Sequence, residues 1–335
     1  MDARGREVRL YSMKHKVVSY KKLPVAVDQY LREHCDLIVF DKVTKDNYEA
    51  FYQEIQDAVG LIGVDLLIDD ELLDHAPLLK VSATISVGYD NFDIPALSKR
   101  GILATNTPGV LNETTADTMF GLIIATARRF TELDAYVKSG KWKVPLGSNL
   151  FGLDVHHKTL GIIGMGGIGT AIAKRAHLGF DMNILYHNRS RNEKAEKLYK
   201  ATYCSLEDLL KQSDFVCLMT PLTSETEKLM GEQEFKLMKD TAFFINGSRG
   251  KTVDEAALIV ALQNKEIAGA GLDVFEEEPT PTDNPLLKMD NVVALPHIGS
   301  ATLQTRTDMS MFAAENVVAA LKGERPPALI NADLW

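Results

Sequence analysis

The chain has 335 residues, of which 45% are hydrophobic and 25% charged, and its formal net charge is −9. This length suits two domains that each bury an apolar core. The negative balance argues against a general nucleic-acid or anionic-membrane surface, and no apolar run approaches the roughly 20 residues that a membrane helix needs.

The three cysteines, Cys35, Cys204 and Cys217, lie far apart and form no C-x-x-C pair. Neither a disulfide framework nor a metal site is therefore predicted, and a reducing cytoplasm is the expected location. Residues 1–12 are mildly basic and lack the apolar core of a secretory signal. They are interpreted as a short appended arm, with Met13 as a possible effective start.

From residue 16 to residue 107, apolar runs alternate with helical patterns, which predicts a parallel sheet with right-handed crossovers. The predicted strands are 17–20, 37–40, 59–64, 79–85 and 102–104, and the predicted helices are 25–33, 45–56 and 94–99. The turn at residues 106–109, Asn-Thr-Pro-Gly, breaks this pattern and predicts a domain boundary.

After this turn, Asn112 is predicted to cap a long apolar helix over residues 115–130. Residues 141–154 are rich in Gly and Pro, which predicts an irregular segment, and they include Trp142. A large aromatic residue in such a segment packs either on a second subunit or on its own domain, and the sequence favours neither.

A second alternating unit starts at residue 160 and predicts a doubly wound parallel sheet. Its predicted strands are 160–163, 184–186, 215–219, 242–246, 269–274 and 292–295, and its predicted helices are 168–178, 206–210, 232–237, 254–264 and 302–321. The last helix and the tail to Trp335 are expected to return to the first domain. The predicted domains are therefore a substrate domain over 13–108 plus 304–335 and an NADP-binding domain over 109–303.

A glycine-rich turn follows the apolar run at residues 160–163. Gly164, Gly166 and Gly169 form the pattern G-x-G-x-x-G between a predicted strand and a predicted helix. The first glycine permits a tight turn, the second lets the backbone approach a pyrophosphate, and the third lets the helix pack on the strand. This context predicts dinucleotide binding, and the alternative is a turn that uses glycine for packing alone.

The end of the next strand indicates which dinucleotide is bound. An acidic residue at this position would bind the adenosine ribose hydroxyls, but the chain has Asn188, Arg189, Ser190 and Arg191 there. A guanidinium with neighbouring amide and hydroxyl groups suits a 2′-phosphate, so NADPH is predicted. The alternative is a solvated basic face in an enzyme that uses NAD.

Three later segments each place a reactive side chain just beyond a predicted strand: Arg249, an acid within residues 276–278, and His297. Histidine can donate a proton to a carbonyl oxygen near neutral pH, a carboxylate can hold its other nitrogen, and an arginine can bind a substrate carboxylate. Such a set suits reduction of a 2-keto acid. A packed loop histidine, a structural arginine and solvated acids are the alternatives.

Four motifs in fixed order resemble the D-isomer-specific 2-hydroxyacid dehydrogenase family. They are Gly-Ile-Ile-Gly-Met-Gly-Gly-Ile-Gly from residue 161, Phe-Ile-Asn-Gly-Ser-Arg-Gly from residue 244, Gly-Leu-Asp-Val-Phe-Glu-Glu-Glu-Pro from residue 271, and Pro-His-Ile-Gly-Ser-Ala-Thr from residue 296. Within this family, residues 84–93 and 154–161 resemble bacterial reductases of glyoxylate, hydroxypyruvate and 2-ketogluconate.

The resemblance implies two Rossmann-like or flavodoxin-like parallel-sheet domains with a cleft between them, no metal, and a homodimer built on the helix from Thr115 and the arm that follows. It implies Arg249 as the substrate-binding arginine, Glu278 as the acid paired with the histidine, and His297 as the proton donor. Val87 and Gly88 are expected to receive the substrate carboxylate through their backbone amides. The expected cofactor contacts are Gly164, Gly166, Gly167, Ile168, Gly169, Asn188, Arg189, Ser190, Thr220, Pro221, Thr226, Gly247, Asp273 and Gly299.

The expected activity is NADPH-dependent reduction of small 2-keto acids to D-2-hydroxy acids, with weaker use of NADH. Two alternatives stay open at this point. One is an NAD-dependent relative such as phosphoglycerate dehydrogenase, and the other is a dinucleotide-sensing corepressor that performs no metabolic reaction.

Overall fold

The computed structural model describes residues 14–335, so the predicted basic arm and the suggested start at Met13 lie outside the described residues. The chain forms two compact units. The first unit contains residues up to Val110 together with Arg306–Trp335, and the second contains Leu111–Thr305. Within residues 14–335 no helix has the length and apolar character that a membrane span requires.

The first unit contains five parallel strands in the order β2-β1-β3-β4-β5. These strands are β1 (Lys16–Ser19), β2 (Asp36–Val39), β3 (Gly60–Gly63), β4 (Val81–Thr84) and β5 (Leu103–Thr105). The helices between them are α1 (Val25–His34), α2 (Tyr48–Ile55), α3 (Asp70–Asp74) and α4 (Ile94–Lys99). Every residue of β3 and β4 is buried, which is why these strands are apolar or small along their whole length.

The chain end is attached to this first sheet. The Asn331 side chain is buried, its Oδ1 atom accepts a hydrogen bond from the Ala104 amide at 2.9 Å, and its Nδ2 atom donates to the Ile102 carbonyl at 2.9 Å. The tail therefore belongs to the first unit although more than 200 residues separate it from β5 in the sequence.

The second unit opens with α5 (Asn112–Ala127) and α6 (Phe130–Lys138). The prediction of Asn112 as the N-cap was wrong, because Leu111 occupies that position. The predicted continuation to residue 130 was also wrong: Arg129 adopts a left-handed conformation with φ of 57°, which ends the regular hydrogen bonding of α5 before α6 starts. The segment after α6 is irregular apart from a short 3₁₀ turn at Ser148–Leu150, and Trp142 is 59% exposed.

Seven parallel strands form the second sheet, in the order β12-β11-β10-β9-β6-β7-β8. They are β6 (Thr159–Ile163), β7 (Asn183–His187), β8 (Thr202–Tyr203), β9 (Phe215–Leu218), β10 (Phe243–Asn246), β11 (Gly269–Leu272) and β12 (Val292–Ala294). The helices are α7 (Gly167–Phe180), α8 (Glu193–Tyr199), α9 (Leu206–Gln212), α10 (Glu232–Leu237), α11 (Glu255–Gln263) and α12 (Leu303–Leu321), the last of which enters the first unit at Arg306.

The predicted fold class of two parallel-sheet α/β domains is confirmed. In the second sheet the strand order reverses beside β6, since β7 lies on one side of it and β9 on the other. Ligands of open parallel sheets bind at the carboxyl ends of the strands near such a reversal. The glycine-rich turn directly follows β6, so it lies at this position.

Candidate active site

The turn between β6 and α7 can be built only with glycine at two positions. Gly164 has φ of 103°, and a Cβ atom there would lie 2.7 Å from the Met219 carbonyl group. A Cβ atom on Gly169 would overlap the Gly164 carbonyl oxygen. Gly164 therefore lets the turn lie against the backbone that follows β9, and Gly169 lets the helix approach the turn and β6.

Gly166 has a different environment. It is the N-cap of α7, no side chain caps this helix, and an added Cβ atom would meet nothing within 4 Å. The amides of Gly167, Ile168 and Gly169 form the first turn of the helix and have no acceptor four residues earlier within it. An open backbone surface with these amides and the positive end of a 14-residue helix suits a phosphate group.

A second observation supports a ligand beside this turn. The Thr220 hydroxyl oxygen, just beyond β9, is buried and has no hydrogen-bond partner among the described residues. A buried hydroxyl without a partner costs free energy unless a ligand or water completes it. Together with the open surface at Gly166, this hydroxyl shows that the residues present fit a bound dinucleotide.

The other predicted cofactor residues of this region shape the loops. The Thr226 hydroxyl donates to the Pro221 carbonyl oxygen at 2.6 Å and accepts from the Thr223 amide at 2.8 Å. Gly247 lies against Met119 of α5, so closely that a Cβ atom would overlap the sulfur. These contacts fix the loops after β9 and β10, and the predicted contacts of Pro221, Thr226 and Gly247 with a cofactor stay predictions.

Beyond β7, Asn188 holds the glycine turn. Its Oδ1 atom accepts a hydrogen bond from the Met165 amide at 2.8 Å. Arg189 and Ser190, the next two residues, are exposed. The Asn188 side chain is thus engaged with protein backbone, whereas the side chains of Arg189 and Ser190 face solvent.

Arg249 lies in a turn that Asn246 organises. Asn246 is the last residue of β10 and is 1% exposed; its Oδ1 atom accepts from the Ser248 amide at 3.0 Å and its Nδ2 atom donates to the Arg249 carbonyl at 3.1 Å. Sequence reasoning did not identify Asn246 as a site residue. The signal was present, since a single amide side chain ends the otherwise apolar run Phe-Phe-Ile.

Asp273 holds the loop that carries His297. This carboxylate, 2% exposed, accepts hydrogen bonds from the amides of Ile298 at 2.7 Å and Gly299 at 2.8 Å, one on each oxygen. The His297 amide donates to the Asp273 carbonyl oxygen at 2.9 Å. Burial raises the pKa of Asp273, and the two amide hydrogen bonds oppose that rise. The side chain fixes a loop in which His297 has a left-handed φ of 52°.

Glu278 and His297 meet directly. His297 Nδ1 lies 2.7 Å from Glu278 Oε2, and the other carboxylate oxygen of Glu278 accepts from the Phe275 amide at 3.0 Å. The structure thus places Glu278, rather than Glu276 or Glu277, beside the histidine. Because a carboxylate only accepts, Nδ1 carries the proton of this contact and Nε2 is left facing away from the acid.

The charge of Glu278 is stabilised at this position. Burial acts to raise its pKa, but the hydrogen bonds from His297 and the Phe275 amide and the positive charges of His297 and Arg249 outweigh burial, and the pKa is lowered. Glu278 is therefore ionised near neutral pH. An ionised acid on Nδ1 stabilises the protonated imidazole, which is the form that can donate from Nε2.

The two predicted contacts with the substrate carboxylate lie in the first unit. Val87 and Gly88 follow β4 in the first unit, and their proposed contact with a substrate carboxylate stays a prediction. Within residues 14–335 no cluster of three or more His, Cys, Asp or Glu side chains could hold a metal ion.

Comparison with known proteins gives consistent matches over this chain. A family model described as "D-isomer specific 2-hydroxyacid dehydrogenase, NAD binding domain" matches residues 120–299. A protein named glyoxylate/hydroxypyruvate reductase B from Escherichia fergusonii is 51% identical over 319 residues, covering 95% of this chain and 98% of its own length.

Two solved structures are also similar. The TT0316 protein from Thermus thermophilus has a TM-score of 0.86 at 42% identity and covers 94% of this chain and 99% of its own. The NADPH-dependent glyoxylate/hydroxypyruvate reductase of Sinorhizobium meliloti, in complex with NADP and malonate, has a TM-score of 0.83 at 33% identity and covers 95% of this chain and 97% of its own.

Proposed function

Because this chain belongs to the D-isomer-specific 2-hydroxyacid dehydrogenase family, we propose that it uses NADPH to reduce small 2-keto acids to D-2-hydroxy acids. Glyoxylate, hydroxypyruvate and 2-ketogluconate are the proposed substrates. The observation that carries this proposal is the pairing of His297 with Glu278 at 2.7 Å, in the same unit as the glycine turn of Gly164, Gly166 and Gly169.

A dinucleotide bound at the glycine turn would supply the hydride that reduces the carbonyl carbon. His297 donates a proton from Nε2 to the carbonyl oxygen, since Nδ1 is occupied by Glu278. Glu278 holds the ring orientation and stabilises the positive charge that the imidazole carries before transfer. Arg249 binds the substrate carboxylate and polarises the carbonyl, because a guanidinium can make two parallel bonds to an anion.

The cofactor preference rests on the end of β7. A carboxylate there would bind the ribose hydroxyls of NADH and repel a 2′-phosphate, and the chain has Arg189 and Ser190 at this place. The Sinorhizobium meliloti relative is NADPH-dependent by its description, which supports the same preference here. We therefore propose that Arg189 binds the 2′-phosphate and that Ser190 adds a neutral hydrogen bond.

Relatives named glyoxylate/hydroxypyruvate reductase B support the first two substrates. The test is to measure kcat/KM for all three keto acids with NADPH and with NADH. We expect turnover of glyoxylate and hydroxypyruvate with a clear preference for NADPH. A preference for NADH would favour the alternative of an NAD-dependent dehydrogenase, and no turnover of any of the three would contradict the proposal.

We further propose that the chain forms a homodimer in the cytoplasm. Large apolar side chains are exposed on α6 and the segment after it, among them Phe130, Val137, Trp142, Val144, Leu146 and Phe151. Six exposed apolar side chains within residues 130–151 suit burial against a second copy. Light scattering after size-exclusion chromatography should give the mass of two chains, and a W142E variant should lower it toward one. A single-chain mass for the unaltered protein would contradict the dimer.

The three cysteines are free thiols, which suits a reducing compartment.

A further inference from the structure

A buried tyrosine supports the loop that follows β7. The Tyr186 side chain is fully buried, its hydroxyl donates to Glu196 Oε1 at 2.6 Å, and it accepts from the Asn192 amide at 2.8 Å. Burial and the hydrogen bond to Glu196 raise the pKa of Tyr186, so its hydroxyl stays a donor. One buried group thus connects the end of the loop at Asn192 to α8, which carries Glu196.

Arg191 completes this connection from the solvent side. Its Nε and Nη2 atoms each lie 2.9 Å from a different oxygen of Glu196, which is a two-pronged ion pair. The guanidinium carbon lies 5.7 Å from the centre of the Tyr203 ring, and the Tyr203 hydroxyl donates to the Asn188 carbonyl at 3.1 Å. The hydrogen bonds from Arg191 and Tyr186 lower the pKa of Glu196, so the pair is charged at neutral pH.

The two arginines of the loop therefore differ. The charge of Arg191 is balanced by Glu196, and a phosphate could recruit it only by breaking two charge-assisted hydrogen bonds. Arg189 makes no hydrogen bond or ion pair with any residue in the described part of the chain. Hydrogen bonds from Thr223 and Ser224 lower the pKa of Glu225, and the more distant charge of Arg189 adds to that effect. Of these two arginines, Arg189 is the one whose guanidinium a ligand can bind without displacing a hydrogen-bonded partner.

We propose that Tyr186, Glu196 and Arg191 are positioning residues that hold the loop at residues 188–192 in the conformation that presents Arg189 and Ser190 to a 2′-phosphate, and that Arg191 is not itself a phosphate ligand. This inference rests on the proposed use of NADPH and deepens it. It makes cofactor preference depend on a network that includes Tyr186 inside the fold and Glu196 on the next helix.

The direct test measures dissociation constants of NADPH and NADH by nicotinamide fluorescence for Arg189→Met, Arg191→Met, Glu196→Gln and the double variant R191M/E196Q. Arg189→Met should weaken NADPH binding by about tenfold or more and leave NADH binding nearly unchanged. Arg191→Met and Glu196→Gln should each weaken NADPH binding by about 3- to 10-fold, and the double variant should be no weaker than the worse single variant, because both changes break one network.

Two further variants separate positioning from net charge. Glu193→Gln removes one negative charge from the same helix and leaves the contacts among Tyr186, Glu196 and Arg191 in place. It should therefore leave the ratio of the NADPH and NADH dissociation constants unchanged. Tyr186→Phe removes only the hydroxyl and should act like Glu196→Gln. A merely structural role would weaken both dinucleotides equally, and such an equal loss contradicts the proposal.

Three results would overturn the inference. Tighter NADPH binding by Glu196→Gln would mean that a released Arg191 binds phosphate. Losses in R191M/E196Q equal to the sum of the single losses would mean that the two residues act separately. A loss in Arg191→Met as large as that in Arg189→Met would make both arginines ligands. Failure of the proposed function is distinct, since it would appear as a preference of the unaltered protein for NADH.

Discussion

His297 Nδ1 lies 2.7 Å from Glu278 Oε2, while a different acid, Asp273, holds the loop of the histidine through its backbone. The two acids thus have separate effects. Asp273 determines where the loop lies, because its two carboxylate oxygens accept hydrogen bonds from the amides of Ile298 and Gly299. Glu278 determines which ring nitrogen carries the fixed proton and stabilises the charged ring.

Replacement of Glu278 by Gln should reduce turnover without removing the histidine. The amide keeps the size of the side chain and loses the negative charge that stabilises the protonated ring. We expect kcat to fall by about 10- to 100-fold, less than the loss expected for the proton donor itself.

This prediction is checked by the pH dependence of kcat with saturating NADPH and glyoxylate. Glu277→Gln is the matched control, because this exposed neighbour loses the same charge without a contact to His297. Equal activity of Glu278→Gln and the control at every pH would show that the pair has no part in the reaction.

The lowered pKa of Glu278 also predicts how stability depends on pH. A carboxyl group whose pKa is lower in the folded chain than its ordinary value of 4.5 stabilises the fold above that pH, and this contribution is lost as the pH falls through the folded pKa. The difference in free energy of unfolding between the unaltered protein and Glu278→Gln should therefore be largest above pH 4.5 and shrink on acidification. Urea unfolding at successive pH values measures it, and a difference that grows on acidification would contradict the assignment.

Two glycines of the same turn should respond differently to alanine. Gly169→Ala places a methyl group on the Gly164 carbonyl, so the free energy of unfolding should fall by about 1–3 kcal/mol. Gly166→Ala meets no protein atom within 4 Å and has φ of −81°, which alanine adopts, so its melting temperature should be unchanged.

Gly166→Ala should weaken NADPH binding although it leaves the stability of the fold unchanged. The added methyl group occupies the surface proposed for the pyrophosphate, and we expect affinity to fall by about tenfold or more. Calorimetric melting and fluorescence titration of both variants give the two quantities. Unchanged NADPH affinity in a stable Gly166→Ala protein would show that the pyrophosphate does not bind at this turn.

The sequence predicted the buried strands well, because strands covered on both faces are continuous apolar runs. The run at residues 160–163 forms β6, and the run at residues 215–219 forms β9. It did not predict β8, which has two exposed residues, or α8, whose only buried residue is Ala195. Neither element has an apolar pattern. Side-chain contacts such as the hydrogen bond between Tyr186 and Glu196 hold this region instead.

For the site, a polar residue after a strand end was the signal that singled out Arg249 and His297, because parallel strands end at one edge, and their proposed roles stay predictions. The choice of Glu278 among three adjacent acids came from resemblance, since spacing alone does not distinguish them. The use of both Asp273 oxygens by loop amides was not predictable, because it depends on the left-handed turn at His297. The prediction for Asn112 was wrong for a related reason, since it also depends on a contact between distant residues. The Asn112 side chain lies against Gly167 of α7 instead of capping α5.

The His297→Gln variant tests most directly whether His297 donates the proton. The glutamine keeps a polar side chain on the same loop but cannot donate as an acid of suitable strength. We predict that kcat/KM for glyoxylate with NADPH falls by about 10²- to 10⁴-fold, while the dissociation constant of NADPH and the melting temperature stay within error. Turnover by a folded, NADPH-binding His297→Gln protein equal to that of the unaltered protein would contradict the account.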